Sequence, residues 1–372
     1  MHKKNQSSRP AASNQPLRLG FVPLTDCAPL VIAKELGLFL KHGLRVELRR
    51  ELGWATIRDK VVYRELDAAH AVVGMPFAAT LGLGSLQCDC LTALVLNQHG
   101  NAITLSHELW KNRVRSTAAL RDEIVRLSAT KTLTFGTVYP FSSHNFLLRA
   151  WLDAAGINPD RDVRIVVVPP PQMVPNLKAG HLDGFCVGEP WNSVAAQSGA
   201  GWCVAASAEL APGHPEKVLM TRRDFAEKRP SEHLALVAAI LEACAFCQDP
   251  ANHSRIVSTL ARSEYVGVPE KALEPGLRGD LDFGQGNIRR VADFNIFHAL
   301  DANEPSPDKA AWVLRHLRQA GRVRDTATLN ASLGRRVFRA DLFHNAVRLG
   351  HSSTDTVIQT NDHSSETNFI LT

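Results

Sequence analysis

The sequence predicts an α/β protein built as two lobes around a ligand cleft. Three observations predict it. Strand-like and helix-like segments alternate from Leu17 onward, the pattern of β-α-β units. A second alternating set begins near residue 100, after the polar run Gln98-His99-Gly100-Asn101. The chain then turns back towards the first set at Lys217-Val-Leu-Met220. Lobe 1 is therefore discontinuous, 17–99 plus 218–345, and lobe 2 is 100–217. Residues 1–16 read as a flexible N-terminus, and 346–372 as a disordered tail rich in Ser, Thr, Asn and Asp.

Each element has a local reason. Leu17 to Pro23 is the first strand, and Asp26 can cap the helix from Ala28 to Leu40 that Gly43 ends. Leu44 to Arg50 alternates and is the second strand. Gly53 leads a helix to about Leu66, followed by buried strands at Ala69 to Met75 and Leu91 to Asn97. In lobe 2, Leu133 to Val138 and Val163 to Val168 are strands, and Ser142 or Ser143 caps the helix Phe146 to Ala155. The run from His181 to Asn192 reads as a buried strand that stops at a helix start. Gly188 lets the backbone turn close to a neighbour, and Pro190 suits a first helical position. Beyond Met220 the pattern becomes helical, at Ser231 to Gln248, Asn252 to Ala261, after Pro269, and Lys309 to Ala320.

Composition narrows the class. The chain has 372 residues, 45% apolar and 21% charged, with a net charge of +5. That balance is too mild for a nucleic-acid surface and does not oppose an anionic ligand. No stretch of about 18 uncharged apolar residues is evident, so no membrane insertion is expected. The polar first 16 residues lack the apolar core of a secretory signal, so a cytoplasmic address is expected. The seven cysteines are scattered, and no second CxxC or nearby His pair joins Cys244-Ala-Phe-Cys247 to complete a zinc site. Cys244 and Cys247 lie on a strong helix and read as residues of a core or surface helix rather than a redox pair, while Cys27, Cys186 and Cys203 sit in apolar segments and read as buried thiols.

The candidate ligand-binding residues fall at strand ends and helix starts. They are Trp54 with Thr56, Asn101, His144, Glu189 with Pro190, and Lys217. Lys217 supplies a positive charge, His144 and Asn101 supply N–H donors, Thr56 a hydroxyl, and Trp54 an aromatic wall. This set suits a small planar anion. A phosphate would call for a Gly-rich loop or Arg forks. No GxGxxG, Walker A, HExxH or GxSxG motif is present. Ser143 and His144 are adjacent on a helix and point about 100° apart, so they do not make a nucleophile–base pair. No catalytic residue, metal or cofactor is expected, and the chain reads as a binding protein rather than an enzyme.

Several ordered motifs resemble the nitrate/bicarbonate-binding protein family of ABC uptake systems. They include Leu19-Gly-Phe-Val-Pro-Leu-Thr-Asp26, Trp54-Ala-Thr-Ile-Arg-Asp59, Gly100-Asn-Ala-Ile103, Gly188-Glu-Pro-Trp-Asn192 and His214-Pro-Glu-Lys-Val218. The resemblance implies a C-clamp of the type II periplasmic-binding-protein kind, with an oxyanion between the lobes. It implies contacts at Trp54, Asn101, His144, Pro190 and Lys217, with Thr56 and Glu189 near. Glu189 would then pair with Lys217 or His144. The family's nitrate binders usually carry Gln where this chain has Asn101, which reaches about 1.5 Å less. With the leaderless N-terminus, the resemblance points to the cytoplasmic NasS-type nitrate/nitrite sensors. In that branch the ligand-free sensor holds an RNA-binding antiterminator (NasT-type) inactive, without contacting nucleic acid itself. The alternative is the substrate-binding component of a nitrate transporter. An enzyme of the related thiamine-precursor group would need a lysine-bound pyridoxal phosphate and a phosphate cradle, and no such Gly run is present.

Overall fold

The computed structural model describes residues 15–321, 323 and 325–361. Two sheets organise it. The first has the strand order β13-β4-β10-β3-β1-β2, from Asn295–Ile296 (β13), Cys90–His99 (β4), Pro215–Arg222 (β10), Ala68–Val72 (β3), Leu17–Phe21 (β1) and Val46–Arg50 (β2). The second has the order β7-β6-β8-β5-β9, from Arg164–Val167 (β7), Thr134–Thr137 (β6), Gly184–Gly188 (β8), Asn101–Ser106 (β5) and Gly201–Ala206 (β9). The β-α-β units pair in parallel: β1 with β2 and β3, and β6 with β7 and β8. The crossing strands run antiparallel to them, β10 against β3 and β4, and β5 against β8 and β9. Both sheets are therefore mixed. A short hairpin of Asp280–Asp282 (β11) and Ile288–Arg290 (β12) stands apart.

The first crossing between lobes is made at Gly100, between β4 and β5. His99 and Gly100 both have positive φ, 60° and 91°. That kink lets one strand run end in one sheet and the next begin in the other. The return crossing precedes β10, so Lys217 lies on a strand of the first lobe's sheet. The expected boundary at 217/218 moves back accordingly, because β10 already pairs with β4 at Pro215.

Other differences are local. The helix expected over 28–40 breaks into Ala28–Glu35 and Leu38–Lys41 at Gly37, whose φ is 69°. The tail expected to be disordered from 346 is helical as far as Asn361, because Leu342, Phe343 and Ala346 anchor it on the lobe 1 core. Residues 1–14 and 362–372 of the expected flexible ends lie outside the described residues. The helix Pro230–Gln248 is, by length and composition, apolar enough to cross a membrane, although Glu232 and Glu242 interrupt its apolar run. Here it is a core helix packed on Ala28–Glu35 and Ala340–Asn361, with Leu236, Val237, Ile240 and Cys244 fully buried.

The lobes touch closely. Thr25 N donates to Glu189 O at 2.8 Å, and Trp191 Nε1 to Pro23 O at 3.2 Å. Gly74, before the helix Met75–Thr80 of lobe 1, faces Phe141 of lobe 2. A Cβ at Gly74 would stand 2.0 Å from the Phe141 carbonyl oxygen. Its φ of −82° suits any L residue. Gly74→Ala should therefore leave each lobe folded while holding the two apart. Small-angle scattering should show a larger radius of gyration than the wild type, with Tm within about 4 °C of it. An unchanged radius would show that this contact does not limit closure.

Candidate functional site

A buried charge cluster lies where the lobes meet. Glu216 and Lys217 are neighbours on β10, and both are 0% exposed. Lys217 Nζ donates to Asp26 Oδ2 and to Glu216 Oε1, each at 2.7 Å. Asp26 Oδ1 is 2.9 Å from His70 Nε2 on β3. Glu216 Oε2 accepts from Asn101 Nδ2 at 2.6 Å and from the Ser143 hydroxyl. Lobe 1's glutamate is thus held by two lobe 2 side chains. His144 Nε2 lies 3.5 Å from Glu216 Oε1, and His214 Nδ1 lies 3.7 Å from Oε2. The Trp54 ring sits 5.5 Å from Lys217 Nζ.

The local structure explains these positions. Ser142 accepts from Asn145 N and caps the helix Ser143–Ala154, which presents Ser143 and His144 at its start. Gly53 precedes the helix Trp54–Val62, so Trp54 is its first residue. Asn101 opens β5 and pairs with Gly188 at the end of β8. A Cβ at Gly188 would sit 3.3 Å from both Asn101 Oδ1 and Asp26 Oδ2, so its backbone borders the cluster.

Burial and charge set the protonation states. Burial pushes the Asp26 and Glu216 carboxyls up, but the Lys217 ammonium, and for Asp26 the hydrogen bond at His70, outweigh it. Asp26 ends well below the usual carboxylate range, and Glu216 falls to about 2. Burial lowers the Lys217 ammonium, yet its two carboxylates raise it further, so it stays charged. Burial lowers His144 to about 4 and His214 to about 3, against the pull of Glu216. Both are neutral at pH 7. Trp54 Nε1, both ring nitrogens of His144 and Asn101 Oδ1 are buried without a protein partner. Unsatisfied groups of this kind are costly unless a ligand or water meets them. One of the three Lys217 N–H bonds is also left over beyond its two carboxylates. The arrangement can hold a small oxyanion by N–H donors from both lobes.

The residues 10–261 match the model of the NMT1-like family. That match covers more than half of the chain. It belongs to the NMT1-like family. Among its relatives in sequence is the nitrate import ATP-binding protein NrtC of Synechocystis sp., 43% identical over 89% of this chain and 50% of NrtC. Another is the nitrate/nitrite binding protein NrtA of Synechococcus elongatus, 34% identical over 89% of this chain and 77% of NrtA. The chain thus spans about half the length of NrtC. In structure it resembles the periplasmic nitrate-binding protein NrtA of Synechocystis, with a TM-score of 0.85, 28% identity, and coverage of 92% of this chain and 90% of that one. The fold is the α/β, two-lobed, periplasmic-binding-protein-like one of this NMT1-like member's relatives.

Of the residues singled out in the sequence, Trp54, Asn101, His144 and Lys217 converge on the cluster. Thr56 does not; it is exposed, because two residues from Trp54 is more than half a turn round the helix. Pro190 is buried but sits one place before the helix Trp191–Gln197, with its carbonyl accepting from Val194 N. Gly188 is the backbone at the cluster instead. Glu189 pairs with neither Lys217 nor His144. Its side chain turns to Gly276 and Thr25, with Oε2 accepting from Ser193 N at 3.2 Å and Oε1 unpartnered. Asp26, expected as a helix cap, makes no cap bond, since Lys217 and His70 take both oxygens. Asn101 spends its Nδ2 on Glu216, so its free end is the acceptor oxygen.

Sequence reading missed His70 and Glu216 and misread Asp26. The available signal was a charged or imidazole side chain inside an otherwise apolar strand, as in Ala68-Ala-His-Ala-Val72.

Removing one partner of a buried ion network leaves the others uncompensated. Lys217→Met should therefore lower unfolding free energy in urea by about 3 kcal/mol or more. Adding Glu216→Gln should recover part of it. A loss under about 1 kcal/mol would mean the two carboxylates neutralise by taking up protons instead. For Glu189, burial without a cation raises the carboxyl to about 7. The stability this contributes is complete below the ordinary carboxylate pKa and is lost as pH rises towards 7. Glu189→Gln should thus match the wild type in Tm at pH 4.5 and exceed it at pH 8. Parallel curves would show that Glu189 is already solvated in the fold.

Proposed function

We propose that this chain binds nitrate or nitrite between its lobes. The observation that carries this reading is the set of buried, unpartnered N–H groups of Trp54 and His144 beside the Lys217 ammonium. Those groups come from both lobes, so the ligand would stabilise the closed clamp. The names of the relatives NrtA and NrtC support nitrate as the ligand.

On this proposal the chain is a cytoplasmic sensor. The anion favours the closed clamp, and an RNA-binding antiterminator of the NasT type prefers the open one. The likeness to NrtA supports a second use of the same binding, as the substrate-binding component of a nitrate transporter.

Calorimetry should find one site per chain for nitrate or nitrite, weakened at least about tenfold by Trp54→Ala. No heat with either anion would sink the reading. A pull-down from extract, with and without nitrate, separates the two uses. Capture of an RNA-binding protein that nitrate releases supports the sensor. Recovery of the chain from the periplasm, with no such capture, supports the transporter component.

A further inference from the structure

The charge balance of the cluster limits what can enter it. One ammonium, Lys217, faces two carboxylates, Asp26 and Glu216. The three imidazoles nearby, His70, His144 and His214, are all held towards the neutral form by burial. The buried cluster therefore carries one net negative charge before any ligand arrives. A monovalent anion would add a second in a space closed to water, and uncompensated buried charge is strongly opposed.

We infer that the anion enters the cleft together with one proton, which His144 holds between Glu216 and the ligand. This rests on the anion-binding reading above. The groups facing His144 are Glu216 and Lys217 from β10, His214 just before it, Asp26 from the turn Thr25–Cys27, and His70 from β3. Most are already committed. Both Asp26 oxygens have partners, and Lys217, Asn101 and Ser143 occupy the Glu216 oxygens. His70 has one nitrogen on Asp26. His214 has Nδ1 at the Pro215 carbonyl and its ring stacked on Trp312.

His144 alone of the three has both nitrogens unpartnered. As an imidazolium it would donate one N–H to Glu216 Oε1, 3.5 Å away, and the other to the anion. The start of its helix opposes a cation there, but Glu216 and the incoming anion lie closer and act the other way. Without ligand, burial keeps the ring neutral. The proton is therefore taken up on binding rather than stored beforehand. Divalent oxyanions such as sulfate would require a second proton and are excluded on the same ground.

Proton uptake is read directly by titrating the full chain with nitrate in HEPES and in Tris, whose ionisation enthalpies differ. At pH 7.5 the two observed enthalpies should differ by the amount one proton per anion requires. The Kd should rise about tenfold per pH unit where uptake is complete. Glu189→Gln, which lies outside the cluster, should keep that uptake. His144→Gln should bind more weakly and lose it. Binding with equal enthalpies in both buffers overturns the proton inference and leaves the anion reading standing. Loss of uptake in Glu189→Gln overturns the assignment to His144. No nitrate or nitrite binding from pH 6 to 8.5 overturns the anion reading, and the inference with it.

Discussion

The structure depends on keeping the Lys217 ammonium charged where water does not reach. An isolated buried ammonium would lose its proton or unfold its surroundings. Here Asp26 and Glu216 compensate it, and each arrives by a different route. Asp26 stands on the first turn after β1. Glu216 is the residue next to Lys217. Adjacent residues on a regular strand point to opposite faces. The pairing of β10 with β4 shifts register on either side of Lys217, and that irregularity lets both side chains meet.

The same network ties the lobes together. Glu216 belongs to the first lobe's sheet, while Asn101 and Ser143, which hold it, belong to the second. In this structure the contact between the lobes and the burial of the charges therefore go together. Bare backbone makes the close approach possible, at Gly74 against Phe141 and at Gly188 against Asn101 and Asp26. On the far side, Gly284 in the β11–β12 hairpin packs on Trp110, and Arg289 pairs with Glu209 of lobe 2. This exposed pair contributes little energy. The buried contacts do more to define the closed geometry.

Much of the fold was legible because its signals are local. The first β-α-β unit shows in the alternation and apolar stripes from Leu17 to Arg50, and the crossing at Gly100 shows in a polar run between apolar strands. The cap at Ser142 was also legible. Thr56 and Glu189 misled because nearness in sequence to Trp54 and Pro190 says nothing about which side of a helix or turn a side chain takes. Asp26 misled because a carboxylate before a helix fits a cap and an ion pair equally well.

By itself, the sequence determined the alternating elements, the two crossings and four residue types that meet at the cleft: Trp54, Asn101, His144 and Lys217. These follow from period, punctuation and chemical type, which act over short stretches of chain. Only the tertiary structure decided that Lys217 is doubly paired, that Glu216 bridges the lobes, and that Glu189 turns away. Those outcomes depend on contacts such as Asp26 with Lys217, 191 residues apart. At that separation, sheet register and desolvation choose the partners.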